Sequence, residues 1–451
     1  MSHKVKYLDI LANLKEDSTP RGLNDRVLLI DGLNTFIRSY TCNPATNEAG
    51  AHIGGITGFL LSIGYAIRHI KPTRVIICFD GKGGSARRKK LFPNYKAQRT
   101  VNNRLTRINS NSSADDERIS MGQQIHRLTE YLEHLPVTVM ATEKIEADDA
   151  IAYIAKQVLP ESQHFIMSTD TDFLQLINDK IAVWSPTAKK FYFKEDMKDR
   201  FKLRPENYIL YKSLTGDKSD NIPGIKGLGQ KTLEKRLPML FTETIVSMDD
   251  VIEDAKQRKD EAKVLDTIAT SEKLLDLNFQ LMQLHEVDIS GVAKESIRNI
   301  VEQPTSRLVP SEFLKYLQDD RMRIVNNPEF WLRDSFIYLD TMAGQIKLIS
   351  ALFTDRLFLQ QISDILDVKF FESESNQFII GTVMEYFQEY KDAPTMEVMK
   401  VQMDAIDNDL LVETIKAHLK DIYKQFEAAD LEFVKTKTLD FCKNQALKKA
   451  I

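Results

Sequence analysis

Short apolar runs that each end in an acidic residue recur along this chain, and they restrict its fold more than any other feature. Val27-Leu28-Leu29-Ile30 is closed by Asp31-Gly32, and Val75-Ile76-Ile77-Cys78-Phe79 by Asp80-Gly81. Such runs are too short for helices and end in turn residues, so they read as strands buried on both faces. Val137-Thr138-Val139-Met140 and His164–Ser168 read as two further strands, which no acid closes directly. Between them, Gly54 to Ile70 has helical spacing of apolar residues, and helices are expected around Ile125–Leu135, over Ala147–Gln157 and as a turn from Phe173. Strands alternating with helices indicate an α/β fold, a parallel sheet with helices on both faces.

The acidic residues gather where such a sheet binds ligands, outside the carboxyl ends of its strands. Asp31 and Asp80 close the first two strands. Glu146, Asp148 and Asp149 open the helix after the third, Asp170 and Asp172 follow the fourth, and Asp217 and Asp220 come later. Singly, each has an ordinary reading: a helix N-cap, a first-turn charge for Glu146, a turn for Asp217 and Asp220. Their recurrence at strand ends is the reason to read them together. So many converging carboxylates repel and raise one another's pKa values. Hard divalent cations, which prefer oxygen ligands, relieve this. Two such ions about 4 Å apart can activate a water and stabilise the leaving oxygen of a phosphodiester.

Five segments carry a family resemblance: Leu29-Ile30-Asp31-Gly32, Phe79-Asp80-Gly81, Glu146-Ala147-Asp148-Asp149-Ala150, Asp170-Thr171-Asp172 and Gly216-Asp217-Lys218-Ser219-Asp220-Asn221. In order and spacing they resemble the 5′-nuclease family, which includes flap endonucleases, the 5′-nuclease domains of bacterial DNA polymerase I and phage 5′-exonucleases of the T-even RNase H type. The resemblance covers about residues 25–240. Thr171 departs from it, since many bacterial relatives carry Lys there. The resemblance implies a PIN-like 5′-nuclease fold with a helical arch and a helix-three-turn-helix element. It implies two Mg²⁺ ions, with Mn²⁺ as an alternative. Asp31, Asp80, Glu146, Asp148 and Asp170 would gather around the first ion, and Asp149, Asp172, Asp217 and Asp220 would serve the second.

Between Gly81 and Ala114 there are nine basic residues and no acidic one. Within that stretch, Arg87, Arg88, Lys89, Tyr95, Lys96 and Arg99 are candidate nucleic-acid contacts. Lys96 and Arg99 are three apart, so they would share a helix face and assist at the scissile phosphodiester; Tyr95 would stack on a base. A solvated basic loop is the ordinary alternative. The resemblance places the family's arch at roughly Lys89 to Arg127, with a single-stranded 5′ end passing under or through it.

Gly224 to Gly229 has the gap of a nucleotide P-loop, but Gln230 separates Gly229 from Lys231, so that pattern fails. The resemblance makes this stretch the helix-three-turn-helix element. Gly224, Gly227 and Gly229 would let the backbone approach a duplex phosphate, Lys226 and Lys231 would contact it, and K⁺ would bridge carbonyls and phosphate.

At 451 residues the chain exceeds one ordinary core. Its net charge of −4 is uneven: from Gly344 onward 13 Lys and Arg face 18 Asp and Glu. Cys42, Cys78 and Cys442 lie too far apart for a disulfide framework or zinc pair, which suits a reducing cytosol. No apolar run reaches the roughly 20 residues of a membrane span, and no signal-peptide pattern opens the chain. Four regions are expected: a polar extension over 1–25, an α/β nuclease domain over 26–225, a helical DNA-binding region over 217–343, and a helical domain over 344–451. The order Leu348–Phe353, Phe370–Ser373, Phe378–Tyr390 and Ala393–Thr395 resembles the N-terminal domain of DnaB-type replicative helicases. No Walker motif accompanies it.

The activity these readings imply is structure-specific 5′→3′ exonuclease and flap endonuclease cleavage of 5′ flaps, nicked duplexes and RNA–DNA hybrids, as in primer removal during phage DNA replication. In that case the protein would work in the cytoplasm of a bacterial host. Lys96, Arg99, Asp80 and Asp172 would serve catalysis. The last domain would dock onto a replicative helicase or single-stranded-DNA-binding protein, or form oligomers. A branched-DNA-binding factor that recruits a helicase and cuts little is the competing class, and a toxin-like ribonuclease sharing the sheet a third.

Overall fold

The computed structural model describes residues 23–100, 105, 113–286, 288–371, 374–407 and 409–424. Two compact units divide between Ser335 and Phe336, and the described residues 23–26 group with the second of them. Asp334 pairs with Arg68 at 3.5 Å and Ser335 bonds the same guanidinium, which ties these residues to the larger unit.

The larger unit is built on a six-stranded sheet in the order β3-β2-β1-β4-β5-β6. Its strands are β1 (Arg26–Asp31), β2 (Arg74–Phe79), β3 (Thr138–Ala141), β4 (Gln163–Met167), β5 (Ile181–Ser185) and β6 (Lys190–Tyr192). The β1–β2, β2–β3 and β4–β5 pairs are parallel, and β6 joins β5 antiparallel. Val27 to Ile30 and Val75 to Cys78 have no exposed surface, as central strands covered on both faces require. The sequence reading missed β5 and β6. Ile181–Trp184 is an apolar run without a closing acid, and β6 has only three residues.

The chain moves outward from β1 on one side and from β4 on the other, so the sheet's switch point lies between these two strands. Open α/β sheets bind ligands at this crevice. Flanking it are α1 (Gly32–Cys42), α2 (Gly54–Ile70), α3 (Ala86–Leu91), α4 (Ala114–Glu133) and α5 (Ala147–Tyr153), which runs on into a π turn, Ile154–Val158. The helix expected around Ile125–Leu135 starts earlier, because Ser113 and Asp116 form a capping box at the start of α4.

Beyond the sheet come α6 (Pro205–Thr215), α7 (Gln230–Arg236) and α8 (Glu272–Met282). The buried Asn278 amide donates to the Ser213 carbonyl at 2.9 Å and the Pro223 carbonyl at 2.7 Å. One side chain therefore fastens α8 both to α6 and to the hairpin formed by Gly216–Asp217 and Ile222–Pro223. The smaller unit includes α9 (Arg356–Ile362), α10 (Glu374–Tyr390), α11 (Met396–Met403) and α12 (Asp409–Lys424). Phe358, Leu359, Ile379, Ile380, Val383, Met399, Ile415 and Ile422 form its core.

Candidate metal centre

The switch point is sewn shut by polar side chains. Asp31 caps α1, accepting from the Asn34 amide N–H at 3.1 Å and from Ser168 Oγ at 3.1 Å. Asn34 Oδ1 in turn accepts from the Thr169 N–H and hydroxyl at 3.1 and 2.9 Å. The chain leaving β1 is thus locked to the chain leaving β4.

The ends of β2 and β3 are joined through backbone. A Cβ on Gly81 would lie 1.6 Å from the Thr142 carbonyl oxygen, so only glycine admits this approach. Gly81 N–H donates to the Ile145 carbonyl at 2.9 Å, and the Ala147 N–H at the start of α5 donates to Asp80 Oδ1 at 2.8 Å. Asp80 thereby sits against the helix that carries Glu146, Asp148 and Asp149.

Those three residues each present an oxygen within 4.8 Å of the others. Arg88 of α3, 1% exposed, lies among them. Its Nη2 is 2.8 Å from Asp149 Oδ1 and 3.2 Å from Asp148 Oδ2, its Nη1 meets Glu146 Oε2, and its Nε donates to the Leu281 carbonyl of α8 at 2.8 Å. Lys96 Nζ lies 2.6 Å from Glu146 Oε1. The Tyr95 hydroxyl donates to Glu146 Oε2 or Asp220 Oδ2, each at 3.2 Å.

A second acidic group lies across the crevice. Asp170 caps a 3-10 turn, Thr171–Leu176, by accepting from the Asp172 N–H at 2.9 Å. Buried Lys212 of α6 places Nζ 2.9 Å from Asp172 Oδ1 and 2.5 Å from Asp217 Oδ2. Asp217 also accepts from the Ser219 N–H and hydroxyl at 2.7 and 2.6 Å.

The electrostatics follow from burial and crowding. Burial, with Asp170 and Asp80 nearby, raises Asp31 to about 7. Burial and Asp170 raise Asp172 to about 7, and burial and Asp148 raise Asp149 to about 6. Asp80 and Asp170 are also raised, chiefly by desolvation. Burial acts the same way on Asp148, but Arg88 and Lys96 outweigh it and hold that carboxyl low. At Asp217 the opposing bonds from Lys212 and Ser219 prevail over burial and give about 2. The result is a crevice of hard oxygen donors, several of them raised by burial and then by one another.

A 5′-3′ exonuclease of Bacillus subtilis (strain 168) is 30% identical over 221 residues, which cover 47% of this chain and 69% of that protein. The chain belongs to the 5′-3′ exonuclease family. The family's N-terminal resolvase-like domain matches residues 26–202, and its C-terminal SAM fold matches 203–299. Bacillus subtilis DNA polymerase I is 29% identical over 258 residues, 54% of this chain but 28% of the polymerase. Among solved structures, the T5 D15 protein co-crystallised with metal ions matches with a TM-score of 0.46 and 20% identity, covering 65% of this chain and 97% of that one. Neither family domain extends into the helical unit.

Within this family member, all nine expected carboxylates lie on the elements that border the crevice. Asp149 groups with Glu146 and Asp148, while Asp172 and Asp217 share Lys212. Two expected nucleic-acid contacts are corrected. Arg88 is buried on three carboxylates, and Tyr95, 2% exposed, packs with Ile209, Ile222 and Leu281, so it has no face for a base. Lys96 and Arg99 do not share a helix either: Lys96 has a left-handed φ of 55° and precedes the 3-10 turn Ala97–Thr100. Lys89, Lys226, Gly227, Gly229 and Lys231 are exposed, and Arg87 is half-buried with Nη2 3.5 Å from Asp149. Gly224 has a packing reason instead, since a Cβ there would lie 2.0 Å from the Thr215 carbonyl. Much of the expected arch, residues 101–104 and 106–112, lies outside the described residues, as does Cys442. Lys212, Ser168 and Asn34 were not foreseen. For Lys212 the available signal was its place one helical turn before Gly216-Asp217.

Proposed function

We propose that the chain is a divalent-metal-dependent 5′→3′ exonuclease and flap endonuclease, acting on 5′ flaps, nicked duplexes and RNA–DNA hybrids. The observation that carries this reading is the convergence of carboxylates on the crevice, several of them raised by burial and one another. The donors are hard oxygens, the set that Mg²⁺ or Mn²⁺ prefers. Glu146, Asp148 and Asp149, with Asp31, Asp80 and Asp170, would hold one ion; Asp172, Asp217 and Asp220 would hold the second. Bound there, such ions supply an activated water and charge for the leaving oxygen.

The chain's own residues do the remaining work. Lys96, half-buried beside Glu146, offers a cation to the scissile phosphate, and Arg99 follows three residues on. Exposed Lys226 and Lys231, with the backbone of Gly227 and Gly229 between them, grip the duplex without reading its sequence; K⁺ would sit at this turn. Arg87 and Lys89 lead the 5′ strand toward the cleft. Primer removal during phage DNA replication, in the cytoplasm of a bacterial host, suits such an enzyme. The unit from Phe336 onward would dock it on a replicative helicase or single-stranded-DNA-binding protein, or assemble copies of it. Among the described residues no helix is long and apolar enough to cross a membrane.

The test is digestion of a labelled 5′-flap substrate with and without Mg²⁺, with an RNA–DNA hybrid as competitor. Cleavage should require the ion. Asp80→Asn and Asp172→Asn should abolish it while flap binding persists. Tight flap binding without cleavage by the native protein would replace this reading with that of a recruitment factor.

A further inference from the structure

Arg88 comes from the basic stretch, yet it is among the largest fully buried side chains of the protein. Its guanidinium meets Glu146, Asp148 and Asp149 at once, and its Nε is held at 2.8 Å by the carbonyl of Leu281, nearly two hundred residues away. Three carboxylates whose oxygens lie within 4.8 Å would spread apart or take up protons if nothing opposed their charge. We propose that Arg88 is a positioning residue, a resident counter-ion that keeps Glu146, Asp148 and Asp149 converged before any divalent ion binds and so sets how tightly they bind one.

The geometry favours this over a packing role. The Leu281 carbonyl holds Nε, a third point of attachment that leaves both Nη atoms to the carboxylates. Neighbouring Arg87 reaches only Asp149, at 3.5 Å, and Lys96 only Glu146, at 2.6 Å, among the triad's ion pairs. Arg88 alone of these three touches all members. Since it already supplies positive charge there, a divalent ion gains less from the triad than it would from three bare carboxylates.

This inference rests on the metal-binding reading above, and the two fail differently. Mn²⁺ binding would be titrated, and thermal unfolding followed with EDTA and with Mn²⁺, in the full-length protein and in Arg88→Met, Arg88→Lys and Arg88→Gln. Arg88→Met should melt at a lower temperature in EDTA and gain more from Mn²⁺ than the native protein does. Its Mn²⁺ Kd should be lower by about tenfold, as expected for removing a unit charge beside a divalent ion. Arg88→Lys keeps the charge and should stay near the native Kd. If Arg88→Met does not fold, Arg88→Gln, which retains a donor for Leu281, gives the same readout. Equal losses of melting temperature with and without Mn²⁺, and an unchanged Kd, would leave Arg88 a packing residue and overturn the proposal. A native protein with no Mn²⁺ response at all would instead remove the metal reading.

Discussion

Lys212 Nζ stands 2.5 Å from Asp217 Oδ2, joining the end of α6 to the hairpin that follows it. The same ammonium lies 2.9 Å from Asp172 Oδ1. Replacing Lys212 with Met should leave two largely buried carboxylates without their cation. Loss of one partner from a buried pair costs about 3–5 kcal/mol, and because these carboxylates keep some solvent access the lower end is expected. Asp217 should lose its low pKa of about 2. Urea unfolding and NMR titration of Asp217 check both; an unchanged Asp217 pKa would contradict the pairing.

The acidic crevice should give metal-free protein an unusual pH profile. Asp31 and Asp172 are raised to about 7 and Asp149 to about 6, from an ordinary 3.8. Between those values the folded state binds more protons than the unfolded chain, so these groups make stability fall as pH rises from about 4 to about 7. Asp217 acts oppositely: its contribution is present above 3.8 and is lost as pH drops toward 2. Divalent ions should flatten or reverse the decline. Urea melts across this range in EDTA and in Mg²⁺ test it, and a metal response that does not change with pH would refute it.

Gly81→Ala should damage the site through backbone alone. The added methyl meets the Thr142 carbonyl oxygen at 1.6 Å, so the loops carrying Asp80 and Glu146 must part. A cost of about 2–4 kcal/mol is expected from strain of this kind, together with loss of flap cleavage. Thermal melts and a cleavage assay read it; native-like stability would show that the loops can yield.

Tyr95→Phe separates a buried structural tyrosine from a base-stacking one. The hydroxyl's bonds to Glu146 and Asp220 disappear, at about 1–2 kcal/mol. Affinity for single-stranded DNA should not change, since the ring is 2% exposed. Unchanged stability would instead take the hydroxyl out of this carboxylate network and reinstate the stacking role.

Lys226→Ala and Lys231→Ala should each weaken flap binding alike on all sequences and reduce the salt dependence of binding by about one ion. Fluorescence anisotropy across a salt series measures this. A loss confined to particular sequences would mean base contact instead.

Local pattern was enough to locate the nuclease framework. Buried strands announce themselves as continuous apolar runs, and in a parallel sheet the residue closing a run faces the ligand crevice, so Asp31 and Asp80 could be placed from sequence. The same logic failed for β6, because three residues carry no period, and for the pair Lys96 and Arg99, because helical spacing says nothing about a residue whose φ is positive.

The sequence by itself determined the alternation of the first four strands with helices and the acids that follow them. Only the tertiary structure decided which cation neutralises which acid. Arg87 and Arg88 are neighbours of identical chemistry, yet one is half-buried at the rim and the other is buried on Glu146, Asp148 and Asp149. Charge compensation is settled by contacts such as Arg88 with Leu281 and Tyr95 with Asp220, between residues far apart in the chain. Spacing along the backbone fixes periodicity over a few residues, whereas desolvation forces each buried charge to find a partner wherever folding brings one.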